Sequence, residues 1–291
     1  MSVFLLIIIV LAATAIWPLG RWAMKDKGEP SIVGFWVSLT VALLCGAGTA
    51  LSGDWHGAPT GVYVAGAVFG LAYAVGFWIC TMRALQIGPA GPTATINNMA
   101  MTAGVLYGLL VLTPGRATGW AWAGLAGVCV ALLLLGLGKP ATDGVHRATG
   151  ARWARLMAIG GGFSCISFMI SAHVGTLYPE QKYIFGAVAF GTAAVLLLPP
   201  MLSNRARFAQ RQERTGGIAL GVVNSTILPL SLVTIQQLGA EIVLPVTVAS
   251  PILLVLIIGR VYYKEHLSAM AWIGCFIGTL AVTALAFSRV T

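Results

Sequence analysis

Residues 236–286 read QQLGAEIVLPVTVASPILLVLIIGRVYYKEHLSAMAWIGCFIGTLAVTALA. Two apolar runs stand out, 242–262 and 268–287, each about 20 residues, the length an α-helix needs to cross about 30 Å of hydrocarbon. The turn between them carries Arg260, Lys264 and Glu265. Charges are costly in lipid and unpaired backbone more so, so the stretch is expected to form a helical hairpin with its turn in water.

The pattern has an earlier copy at 85–136, LQIGPAGPTATINNMAMTAGVLYGLLVLTPGRATGWAWAGLAGVCVALLLLG. Gln86-Ile87-Gly88-Pro89-Ala90 sets over Gln237-Leu238-Gly239-Ala240-Glu241 at an offset of 151. Trp120, Gly124 and Gly127 recur as Trp272, Gly274 and Gly278 at nearly that offset. Half a chain length is what a duplication leaves. The C-terminal hairpin, with Tyr263-Lys264-Glu265-His266-Leu267 before Trp272-Ile273-Gly274, resembles the EamA-like branch of the drug/metabolite transporter superfamily. The first copy departs from that pattern, having Pro114-Gly115-Arg116 and no acid at the equivalent turn. The resemblance implies an all-α membrane protein of ten transmembrane helices, arranged as two five-helix repeats.

Composition bounds the class independently. Of 291 residues 58% are hydrophobic and 9% charged, against roughly 25% charged in soluble domains. That is too little charge for the surface of a soluble core. The net charge of +9 does not point to nucleic acid, because the basic residues lie in short connections between apolar runs. All five cysteines fall inside apolar runs with no CxxC pair, so neither a disulfide nor a metal site is expected, and no cofactor.

Taken in order, the expected spans are 3–23, 31–51, 60–82, 92–112 and 118–138, then 156–175, 183–202, 216–235, 242–262 and 268–287. Residues 1–138 form one repeat and 156–291 the other, joined by a basic linker at 139–155. Fourteen of the 17 Lys and Arg residues lie in or beside the connections after spans one, three, five, seven and nine. The positive-inside rule then puts those connections in the cytoplasm and both termini outside, in a cell inner membrane. No basic residue precedes the first apolar run, which argues against a cleaved signal peptide. Five spans per copy is an odd number, so the second copy runs inverted relative to the first, the plan associated with alternating access.

Polar residues within spans are the candidates for a site. Asn97 and Asn98 in the fourth span and Asn224 and Ser225 in the eighth each either line a cavity or bond to a neighbouring helix. Asn97, Met101, Gly104 and Gly108 share one helical face, a polar and small stripe suited to lining a cavity. Pro251 interrupts the ninth span and frees a carbonyl. Tyr73 and Tyr107 lie deep enough to line a cavity, whereas Trp17, Trp36 and Trp78 read as interface aromatics. Glu241 either binds protons or complements a helix N-terminus. His173 titrates in the physiological range or simply sits at the interface. Lys264 and Glu265 anchor the surface or latch an inner gate.

The chain carries no GxSxG, HExxH or P-loop motif, so an enzyme is not expected, nor a pump driven by ATP. The expected function is alternating-access movement of a small metabolite, proton-coupled or by exchange, with membrane lipid as surroundings, no nucleic-acid partner, and self-association left open. Two rivals remain: an intramembrane flippase or enzyme, for which His173 with Glu180 is the nearest reactive pair, and a non-transporting subunit or sensor.

Overall fold

A computed structural model describes residues 2–24, 28–52, 57–87, 90–112, 118–137, 150–203, 211–261 and 269–287. The described residues are almost wholly helical and contain no strand. They form ten helical segments: α1 (Ser2–Ala23), α2 (Pro30–Ser52), α3 (Thr60–Ile87), α4 (90–112), α5 (Gly119–Leu137), α6 (Gly150–Leu177), α7 (Lys182–Ser203), α8 (Arg211–Leu238), α9 (Ala240–Val261) and α10 (Ala269–Phe287). Six are long and apolar enough to cross a membrane: α1, α2, α3, α6, α7 with its leading turn, and α8. Apolar stretches in α4, α5, α9 and α10 are shorter.

Large apolar side chains stay exposed along the bundle, among them Phe4, Leu51, Val195 and Phe276. Apolar surface of this kind is compatible with a membrane environment.

The helices pack in matched pairs. α2 lies on α7, α4 on α9 and α5 on α10; α1 meets α8 as α6 meets α3, α1 meets α9 as α6 meets α4, and α2 meets α8 as α7 meets α3. Glycines set the closest approaches. A Cβ at Gly66 would stand 3.0 Å from Val188, and one at Gly70 would overlap the carbonyl of Ala189. In the same way Cβ atoms at Gly217 and Gly221 would meet the carbonyls of Val33 and Val37, both at 3.0 Å. Thus α3 lies against α7, and α8 against α2, through GxxxG faces that let backbones approach closely.

The polar contacts fix which helix ends are neighbours. Glu29, before α2, donates its N–H to Glu213 near the start of α8, and Gln86 at the end of α3 donates to Gly28 O. At the other end Gly108 of α4 abuts Ala240 at the start of α9, and Tyr183 of α7 covers Gly48 of α2. The first of these ends carries the connections after α1, α3 and α7, the first and last of them rich in Lys and Arg, and is called the basic end below. Between α8 and α9, Gly239 takes φ 86°, a left-handed conformation that glycine adopts without strain, and its N–H caps Ile235 O at 2.7 Å.

Gly70→Val and Gly221→Val are each expected to cost at least about 1–3 kcal/mol through forced separation of the helices. An added methyl at Gly46 meets nothing within 4 Å, so Gly46→Ala should be neutral or slightly stabilising. Thermal melts of the purified protein check this; the same Tm for all three would contradict the packing.

Candidate functional site

The wall of the site begins with a local departure from the α-helix. Residues Tyr73–Thr81 of α3 form a π-helical segment, closed by Met82 N–H donating to Phe77 O. The wider turn holds residues four and five apart on one side, and Tyr73, Phe77, Trp78, Thr81 and Met82 all face the same space. Two close contacts accompany it: a Cβ at Gly76 would stand 2.6 Å from Phe163 Cβ, and one at Gly160 would stand 2.7 Å from Thr81 Oγ1. Close approach of α6 through these glycines thus accompanies the widened turn.

That space is a cavity of about 530 Å³, within the range of small-molecule sites. It is lined from α1, α2, α3, α4, α8 and α9. Its residues run from Tyr73 and Thr247 midway along the bundle to Met24 and Leu85 near the basic end. Tyr73 and Phe77 stack with ring centroids 5.5 Å apart and planes within 9°, and Trp78 stands edge-on to Tyr73 at 86°.

Three amides supply most of the polarity. The hydroxyl of Ser164, on α6, donates to Asn97 Oδ1 at 2.8 Å, and that of Thr81 donates to the same oxygen at 3.4 Å. Asn97 makes no other side-chain hydrogen bond among the described residues, so its N–H pair remains for the cavity. Asn224 is the reverse: its Nδ2 donates to Leu220 O, one turn back, at 2.9 Å, leaving its carbonyl oxygen as an acceptor. Asn98 lines the cavity with no side-chain hydrogen bond among the described residues.

Both ends beyond the cavity are built differently. Away from the basic end, α4, α6 and α9 close on one another: a Cβ at Gly104 would stand 2.7 Å from Leu244 Cδ1 and from Phe168 O. Val105, Leu109, Ala172, Val243 and Leu244 form a buried apolar cluster there. Toward the basic end, the α1–α2 connection is clamped. Glu213, only 1% exposed, accepts the Glu29 N–H at 2.6 Å; Ser31 Oγ donates to Glu29 Oε1 at 3.1 Å; Gln212 Nε2 donates to Trp22 O.

Of the residues singled out from sequence, Asn97, Asn98, Asn224, Tyr73 and Pro251 are brought together around the cavity. The others lie elsewhere. Met101 is fully buried in an apolar cluster with Val128 and Leu132, and Gly104 and Gly108 face helices, so the stripe expected to line a cavity is instead a packing face below Asn97. Ser225 returns its hydroxyl to Val222 O at 2.7 Å. Tyr107 Oη and His173 Nδ1 share a 2.9 Å hydrogen bond near the end of α4, with Tyr178 beside the imidazole; His173 is thus partnered by Tyr107. Glu241 is buried at the start of α9, 4% exposed. Lys264 and Glu265 lie outside the described residues.

Sequence reasoning missed Trp78, Phe77, Ser164 and Glu213. Trp78 looked interfacial because the third span was expected to stop at 82; α3 continues to Ile87, which sets Trp78 deeper. A serine on α6 and a glutamate among arginines carry no signal of burial on their own.

No protein-family model and no curated protein sequence matches the chain. Twenty-seven chains of solved structures are similar. One of them, described only as "Crystal structure of protein", superposes with a TM-score of 0.74 over 99% of this chain and 97% of that chain, at 14% sequence identity. At that identity the likeness is one of fold alone.

In a protein whose five native cysteines are replaced by alanine, Asn98→Cys should react with a small maleimide while Met101→Cys stays protected. Equal reactivity, read by mass spectrometry, would contradict the boundary of the cavity drawn here.

Proposed function

We propose that the chain is a membrane-embedded carrier moving a small metabolite by alternating access, with ten spans arranged as two inverted five-helix repeats, as its resemblance to EamA-like transporters implies. The observation that carries this is a cavity of about 530 Å³, lined by helices of both halves and holding Asn97, Asn98 and Asn224. A hollow lined by amides midway along apolar helices suits passage of a solute; a merely structural bundle has reason to fill it.

The helix pairing supports the repeat. Exchanging each helix of the first half with the one five places later turns every pairing described above into another of the set. The glycine contacts follow the same exchange: Gly66 and Gly70 on α7 correspond to Gly217 and Gly221 on α2, each 151 residues on. Tyr73 and Asn224 stand in the same relation, and both line the cavity. Because consecutive helices alternate direction, an exchange by five reverses direction, which an axis in the plane of the membrane accomplishes.

The two halves are not in equivalent conformations, and this supports movement. The cavity lies toward the basic end, while α4, α6 and α9 are closed at the other. Swapping the conformations of the halves would open the opposite end around the same amides. With the positive-inside rule, the present conformation has its cavity displaced toward the cytoplasm and both termini lie outside, in the cell inner membrane. Proton coupling or exchange would drive the cycle, with Glu241, near the far end, and Glu213, at the basic end, as the buried carboxylates placed to respond.

Two measurements test the reading. In the cysteine-free protein in sealed vesicles, Asn224→Cys should be labelled by a membrane-impermeant maleimide added to either face; labelling from one face alone would exclude alternating access. For a solute identified by profiling cells that lack or overproduce the protein, Asn97→Leu and Asn224→Leu should abolish flux without loss of expression, and unchanged flux would remove both from the pathway.

A further inference from the structure

The carrier reading leaves the cargo unnamed, but the cavity's chemistry narrows it. The fixed partners are complementary. Asn97 offers donors, because Ser164 and Thr81 occupy its oxygen. Asn224 offers an acceptor, because its nitrogen is held by Leu220 O. The Asn224 assignment does not invert at low cost: turning that amide over would set its oxygen against a carbonyl, with no donor between them. A ligand that satisfies both must itself carry an acceptor and an N–H or O–H donor.

Apart from Asn98, Thr81 and Thr247, the rest of the wall is apolar and aromatic. Tyr73 and Phe77 are near-parallel rings with Trp78 at right angles, a surface that favours another flat ring in offset or edge contact. Among the described residues lining the cavity none is acidic or basic, so an ionised group placed there would lose its hydration without gaining a counter-charge. The volume of about 530 Å³ accommodates more than a single six-membered ring.

We infer that the cavity takes a flat, uncharged aromatic or heteroaromatic molecule bearing an amide-type group, its carbonyl received by Asn97 and its N–H by Asn224. This assignment rests on the carrier reading and names the substrate class of that same site.

The probes are 2-naphthamide, 2-naphthoate and N,N-dimethyl-2-naphthamide, which share one ring system and differ in charge and in the N–H donor. Binding is measured by calorimetry on the native protein in lipid nanodiscs, with empty nanodiscs subtracting partition into lipid. 2-Naphthamide should bind at least about tenfold more tightly than either analogue, because each leaves a buried polar group unpaired. Asn224→Ala should weaken 2-naphthamide by about tenfold and remove most of its advantage over the dimethyl compound, the signature of a direct pairing. The ligand series needs no variant, so a misfolded Asn224→Ala would not blunt it.

Equal binding of the three compounds, preference for the naphthoate, or no binding would overturn the assignment. Its failure is separable from that of the carrier. Labelling of position 224 from both faces together with undiscriminated naphthalenes discards only the substrate class, whereas labelling from one face discards the carrier and this assignment with it.

Discussion

The bundle depends on backbone brought against backbone at four glycines. Gly66 and Gly70 let α3 lie on α7, and Gly217 and Gly221 let α8 lie on α2. Apolar helices in an apolar medium gain nothing from mutual hydrophobic burial, so association must come from dense van der Waals contact, which small residues permit. A further close approach brings α5 against α10 at Gly127 and Ala281. The cavity lies among α2, α3 and α8 of these pairs and α1, α4 and α9.

One wall of the cavity is shaped by the departure of α3 from a regular α-helix. A regular turn through Tyr73–Thr81 would carry some of its aromatic side chains away from the hollow; the π segment keeps them on one side. Asn97 then bridges α4 to both α3 and α6 through the hydroxyls of Thr81 and Ser164. Interhelical bonding and cavity lining, which look like alternatives for this residue, are both met by one amide: its oxygen fastens helices, and its nitrogen has no side-chain partner among the described residues. A half-satisfied amide is tolerable only where water or a ligand completes it.

The polar clamp at the basic end and the apolar closure at the other are held by different forces. Glu213, Glu29, Ser31, Gln86 and Gln212 hold one through hydrogen bonds to backbone and side chain, most of them part-buried. The other is apolar packing of α4, α6 and α9 around Gly104 and Gly108. On the proposed cycle these are the contacts that must break and reform. Part-buried hydrogen bonds can exchange partners with water, whereas the apolar closure must part as a unit, so the two ends resist rearrangement by different means.

Much of this was legible in the residues. Helix positions followed from runs of apolar residues, because a membrane-length helix must satisfy its own backbone and leaves an unmistakable pattern. Asn97, Asn98, Asn224, Tyr73 and Pro251 were legible as site residues, since a polar or helix-breaking residue in such a run needs a reason. The stripe from Met101 to Gly108 was not: small residues serve equally to open a cavity and to close a contact, and only the position of α6 and α9 decides between them. Nor could the sequence place Ser164 and Glu213, whose neighbours lie 67 and 184 residues away. Sequence by itself determined which segments are helices and which residues are too polar to face lipid; the tertiary structure alone decided which of those meet, because contact between helices is set by shape at the glycines and not by the composition of either one.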